Sequence, residues 1–187
     1  MVGTVENYIP VEVHVRLKRQ AIKVWIGGST VVLLWVALIV GAPVLAATGA
    51  TGASAPIYKF FSYICHQLPY RSFFLDGHQL AVCSRCFGVY LGLLVGFLVY
   101  PLWRPIDDIE PLRRFWLFLS LIPIGVDWSL GFFGIWQNTF TSRFITGLIL
   151  GVACAVYMVP ALIEIARNLT RVGQVSRPAD NVAGLEQ

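Results

Sequence analysis

Three cysteines and a histidine gather at the mouth of an apolar segment. Cys65 and His66 are adjacent in Ile64-Cys65-His66-Gln67, and Cys83-Ser84-Arg85-Cys86 runs straight into Phe87-Gly88-Val89-Tyr90-Leu91-Gly92. Thiols and imidazole are soft ligands and nucleophiles, so the group points to a metal site, zinc first, or to a redox pair. Cys83 and Cys86 are three apart and open a helix, so they share a face. The helix N-terminus and the Arg85 charge favour thiolates there. A plain structural disulfide is the competing reading. A tetrahedral zinc site would use Cys65, His66, Cys83 and Cys86, or take His78 in place of His66. Neighbours on one helix point about 100° apart, so joint ligation by Cys65 and His66 requires irregular backbone, and Pro69 makes that reasonable.

An ionic feature lies close by in the expected topology. Asp127 sits inside an apolar segment, in Ile124-Gly125-Val126-Asp127-Trp128, and Arg143 opens the next one, with Gln137 and Asn138 between. A charge inside a membrane helix is costly and marks function or a structural clamp, so an Asp127–Arg143 pair is expected. Cys154 lies deep in its segment and reads as a small packing residue.

These residues need elements to hold them, and the composition says which. The chain has 187 residues, 57% hydrophobic and 13% charged, with a mean hydropathy of +0.70. Soluble domains carry about twice that charge. Four stretches are apolar and long enough for membrane spans, at 24–47, 86–103, 115–136 and 143–163. The fold class expected is all-α: a four-transmembrane-helix bundle in a lipid bilayer. Gly88, Gly92 and Gly96 recur every four residues on the second span, as do Gly147 and Gly151 on the fourth. Such small-residue faces let helices approach closely, so spans two and four should touch.

Cationic residues set the orientation. Arg16, Lys18, Arg19 and Lys23 precede the first span, Arg104, Arg113 and Arg114 separate the second and third, and Arg167, Arg171 and Arg177 follow the fourth. The positive-inside rule places these in the cytoplasm of a multi-pass inner (plasma) membrane protein, with both termini inside and residues 48–85 outside. The net charge of +4 is explained by that topology. No basic patch interleaved with aromatics suggests a nucleic-acid partner. Residues 42–55 are small enough to resemble a signal-peptidase site, but the apolar stretch before them exceeds an h-region of about 7–15 residues. Cleavage would leave three spans and the cysteines still outside.

The non-membrane parts divide into a cytoplasmic arm at 1–23, an outer Cys/His loop at 48–85 and a cytoplasmic tail at 165–187. In the arm, residues 11–17 alternate apolar and polar, the period of a strand, or belong to a disordered segment with a solvated His14. The tail from 171 on is polar and reads as disordered. In the loop, Ser54 caps a short interfacial helix over 57–67, with Pro56 in its first turn. The aromatics Tyr58, Phe60, Phe61, Tyr63, Tyr70, Phe73 and Phe74 would lay this loop in the membrane interface. Asp76-Gly77 is a turn signal that returns the chain toward Cys83.

Taken together, Cys65-His66-Gln67-x-x-x-Arg71-Ser72-Phe73, Cys83-x-Arg85-Cys86-x-Gly88-x-Tyr90-x-Gly92, Asp127 and Arg143-x-x-Thr146-Gly147 resemble a family of bacterial and archaeal membrane proteins. That family is known only as a domain of unknown function. The likeness covers about 55–155 and departs from the pattern after the aspartate, at Trp128-Ser129. It implies that Cys65, His66, Cys83, Cys86, Asp127 and Arg143 form one site, and it supplies no activity. A second likeness is to membrane thiol oxidases that reduce quinone, which are similar in having four helices and an external C-x-x-C at a helix mouth. They use a second external cysteine pair, of which only Cys65 is present here. The sequence thus ranks an outward-facing zinc site first, a quinone-coupled thiol–disulfide oxidoreductase second and a non-catalytic scaffold with a disulfide third. It holds no nucleotide loop, H-E-x-x-H or nucleophile elbow.

Overall fold

The structure is a computed structural model that describes residues 11–175 apart from 107, 109, 111 and 136, with backbone alone for 171–175. It is an all-α membrane bundle. Four of its helices are long and apolar enough to span a bilayer. They are α1 (Val11–Ala47), α3 (Ser84–Trp103), α4 (Phe115–Phe132) and α5 (Phe140–Val175). The short helix α2 (Thr51–Ser62), a 3₁₀ turn (Pro69–Arg71) and a two-stranded hairpin of β1 (Phe74–Leu75) and β2 (His78–Gln79) fill the connection from α1 to α3. This connection and its end of the bundle are the cysteine face.

The glycine spacing has the consequence expected of it. α3 and α5 pack backbone to backbone. A Cβ added to Gly88 would run into the Phe144 carbonyl, and one on Gly147 into the Arg85 carbonyl. The same holds for Gly92 against Leu148 and for Gly151 against Val89. In lipid there is no hydrophobic drive between helices, so close van der Waals approach supplies the attraction. α1 lies across this pair, and Trp25 Nε1 donates to the Phe97 carbonyl at 2.7 Å.

Two buried clusters divide the bundle along its length. Ile39, Ala42, Phe61, Cys65, Leu80, Ala81 and Val82 form one at the cysteine face. Ala21, Phe97, Tyr100, Ala155, Val159 and Ile163 form the other toward the opposite face.

Several local expectations need correction. α1 begins at Val11, so 11–17 is helical rather than a strand or a loose arm. Val11, Val13 and Val15 are all exposed. The alternation therefore has no buried face to enforce it, and extending an established helix is far easier than nucleating a strand. α2 starts at Thr51, earlier than 57, and ends at Ser62. Ser54 is not its cap but a buried residue, whose hydroxyl donates to the Thr51 carbonyl at 3.3 Å. α5 continues to Val175, which takes the start of the expected tail into helix; 176–187, including Arg177, lie outside the described residues. The third span ends at Phe132, four residues short of the expected limit at 136. The Asp76-Gly77 turn is as expected: both residues have positive φ, 49° and 78°. That is the type I′ geometry suited to a two-residue hairpin.

Candidate functional site

The cysteine cluster is assembled by irregular backbone on one side and a helix start on the other. Past α2 the chain turns through Gln67, whose φ of 48° is left-handed. The backbone is thus irregular here, yet it does not turn Cys65 and His66 to the same side. Cys65 is buried while His66 is exposed. Opposite them, Cys83 is the N-cap of α3 with extended backbone, φ −63° and ψ 156°. Cys86 follows in the first helical turn.

Side-chain amides hold the two halves together. Gln67 Nε2 donates to the Tyr58 and Ala81 carbonyls, both at 2.8 Å. Gln79 Nε2 donates to the Gln67 carbonyl at 2.6 Å and to Ser72 Oγ at 3.1 Å. The Tyr58 hydroxyl donates to the Gln79 carbonyl at 2.5 Å. Aromatic rings clamp the loop from both sides. Trp35 sits edge-on to Phe61 at 5.3 Å, and Phe73 packs on Phe87 and Phe144 at 6.3 and 5.8 Å.

The three sulfurs meet at Cys65. Its Sγ accepts the Cys83 backbone N–H at 3.2 Å. The Cys86 and Cys83 thiols and the Gln67 N–H act on the same sulfur, each favouring its thiolate form. The Cys86 thiol contributes most, and together these donors outweigh burial and bring the Cys65 thiol down to about 5. Cys83 shifts the other way, raised by burial first and then by the Cys65 sulfur. Of these cysteines, Cys65 is thus the one whose surroundings favour the thiolate form.

A cavity of about 400 Å³ opens on this cluster, lined by Cys65, His66, Cys83, Cys86, Arg71, Arg85 and Arg143 among others. His78 does not line it. That residue is exposed on β2, its Nδ1 at 3.0 Å from the Asp76 carbonyl. Cys154 is half-buried in α5 and does not line this cavity. Among the described residues, no group of three or more His, Cys, Asp or Glu side chains is disposed to hold a metal ion.

The ionic pair is also reassigned. Asp127 is buried, and its Oδ2 accepts from Arg85, not from Arg143. Asn138 Nδ2 adds bonds to the Asp127 carbonyl at 2.6 Å and to Oδ2 at 3.1 Å. The physical reason is the glycine seam. It brings the Arg85 backbone level with Gly147, one turn into α5 from Arg143. From there the Arg85 side chain reaches α4. Arg143 lies within electrostatic reach of Asp127, Arg85 and Arg71. Sequence reasoning marked Arg85 as a site candidate, for its effect on the thiols and its place in the Cys-x-Arg-Cys element, but not as the partner of Asp127, and it missed Gln67 and Asn138 as positioning residues. Gln67 was visible as the third member of Cys-His-Gln, but its role depends on a fold that brings α2 beside residue 81.

Fold and site together define a multi-pass membrane protein of four spanning helices with a cysteine cluster and an arginine–aspartate pair at one face. Residues 65–157 match the family described as Predicted membrane protein (DUF2085), and the chain belongs to that family. An uncharacterized protein of Methanocaldococcus jannaschii is 43% identical over 108 residues, 58% of this chain and 69% of that one. One of Methanothermobacter thermautotrophicus is 38% identical over 96 residues, 51% of this chain and 85% of that one. No solved structure matches.

Proposed function

We propose that the cysteine face is a thiol–disulfide centre in which the Cys65 thiolate exchanges with the Cys83–Cys86 pair. The observation that carries this reading is the Cys65 sulfur, which accepts the Cys83 N–H at 3.2 Å and lines one cavity with Cys83 and Cys86. A cysteine favoured as thiolate within reach of a C-x-x-C pair is the arrangement that exchange needs. From a Cys83–Cys86 disulfide, the Cys65 thiolate attacks the Cys83 sulfur. A Cys65–Cys83 bond forms, the Cys83–Cys86 bond breaks, and its electron pair leaves on Cys86. Forming one disulfide from two thiols releases two electrons and two protons, which a quinone in the bilayer takes up to become quinol. The opposite end of the bundle carries Arg16, Lys18, Arg19, Lys23, Arg104, Arg113, Arg114 and Arg167. That asymmetry supports an outward-facing centre in a cell inner membrane with both termini cytoplasmic.

A zinc site is the second reading. It is favoured by His66, which lines the same cavity as the three cysteines and would complete a tetrahedral set. One preparation separates the two. Purified in detergent, the exchange centre holds little metal, and mild oxidation links Cys65 to Cys83 or Cys86. About one zinc per chain, with thiols that react only after chelation, would overturn exchange in favour of zinc.

The pH profile is a further check. Alkylation of Cys65, followed by the mass of its peptide, should be flat from about pH 8 to 6 and fall by half at about pH 5, where the thiolate gains its proton. A rate already falling between about pH 9 and 7, as for an ordinary thiol, contradicts the thiolate assignment.

A further inference from the structure

We infer that the cavity framed by Arg71, Arg85 and Arg143 is a binding site for a phosphoryl anion. Three guanidiniums converge there from separate elements. Arg71 comes from the 3₁₀ turn, Arg85 from the first turn of α3 and Arg143 from the first turn of α5. All three line a cavity of about 670 Å³ that also meets Tyr70, Gln137 and Asn138. The same three line the adjoining cavity over the cysteines.

Charge is unbalanced in this space. Asp127 is the carboxylate that answers the group, and it is bonded to Arg85. Among the described residues, neither Arg71 nor Arg143 has a carboxylate partner. Arg71 instead lies 5.2 Å from the Tyr70 ring centre. Set against Asp127 and the Cys65 thiolate of the adjoining cavity, three cations leave an excess of one positive charge. Arg85 also keeps a buried Nε with no hydrogen-bond partner. Like charges held together at the edge of a low-dielectric layer repel one another, and an anion relieves that repulsion.

The chemistry of the donors selects the ligand class. Guanidinium forks pair with carboxylate or phosphate through two parallel bonds. A carboxylate offers two oxygens and one charge. A phosphate monoester offers oxygens in a tetrahedron, which suits forks arriving from three directions, and its negative charge answers the excess. Trp128 and Phe132, stacked at 5.1 Å, complete an apolar rim on α4, and both are more than half exposed. A free phosphate and the headgroup of a lipid therefore both present the chemistry required.

Full-length protein in phosphatidylcholine nanodiscs provides the test. Inorganic phosphate is titrated against chloride at equal ionic strength, and a second set of discs carries phosphatidic acid. A saturable rise in Tm with inorganic phosphate identifies a free anion; one with phosphatidic acid alone identifies a headgroup. In either case Arg71→Gln should raise the apparent Kd about tenfold, the loss of one charge-assisted contact. Arg71 is on an exposed turn without an ion pair, so this variant should fold. Arg143→Lys keeps the charge, loses the fork and should also weaken binding. Arg114→Gln, at the opposite end, should not. No saturable rise with either source, or a rise that Arg71→Gln and Arg143→Lys leave unchanged, would overturn the site.

Discussion

The α3–α5 seam and helix α4 solve the same problem in opposite ways. At the seam, glycines remove side chains until backbones touch. α4 buries only Ser120 and Asp127 and turns its remaining surface, from Phe115 to Phe132, mostly outward. It is held near its ends by polar contacts. At the cysteine face Asp127 meets Arg85 and Asn138. At the opposite face the Tyr157 hydroxyl donates to the Arg113 carbonyl at 2.8 Å. Many weak contacts spread along a seam resist any single polar substitution, whereas a few strong contacts can fail one at a time. The seam is thus vulnerable to bulk and α4 to loss of charge.

The largest effect should come from adding bulk at the seam. In Gly151→Val the new side chain would meet the Val89 carbonyl and the Leu93 nitrogen, at 2.8 Å from Cβ for the latter. Backbone atoms cannot swing aside, so the loss should reach about 3 kcal/mol or more, the upper range for overpacking. Recovery of monodisperse protein in detergent and its Tm would report this. An unchanged Tm would mean the seam is looser than described.

Removing the charge on α4 comes next. Asp127→Ala strands Arg85, whose side chain is partly exposed, and should cost about 3 kcal/mol, the lower end for a broken buried pair, with much of it regained in the double variant Asp127→Ala, Arg85→Leu. Hydrogen exchange sharpens the contrast. The single variant should open α4 while α3 and α5 stay protected. Equal loss of protection in all three helices would show that α4 is not separately held.

The smallest effect belongs to the other end of α4. Tyr157→Phe deletes one hydrogen bond and should lower stability by about 1 kcal/mol, seen as a modest drop in Tm. A loss as large as that of Asp127→Ala would place the main anchor at the wrong end.

Much of the architecture was legible because it rests on patterns that survive without knowing helix rotation. The four apolar stretches, the glycine periods and the Asp76-Gly77 turn each carry their geometry locally. So did the convergence of Cys65 on the C-x-x-C, since the loop between them is short and returns through a hairpin. The partner of Asp127 was not legible. Arg85 and Arg143 both stand at helix mouths on one face, and chain proximity favoured the one across the short α4–α5 turn. The choice is made by how α3 rotates against α5, which depends on which glycine meets which carbonyl. The helical start at Val11 was hidden for a different reason: the alternation there is genuine, but without a buried face it enforces nothing.

Gln67 sets a rule of substitution for the Cys-His-Gln triplet. Both hydrogens of its side-chain nitrogen are committed to carbonyl oxygens, one on α2 and one just before α3. A glutamate of the same size would turn two donors into acceptors and set oxygen against oxygen. An asparagine would keep the donors but fall one methylene short of the two carbonyls, one held by α2 and the other by the connection into α3. The neighbouring His66 is exposed and carries no such obligation to the backbone. Within one tripeptide, the residue with the least reactive side chain therefore tolerates the narrowest set of replacements.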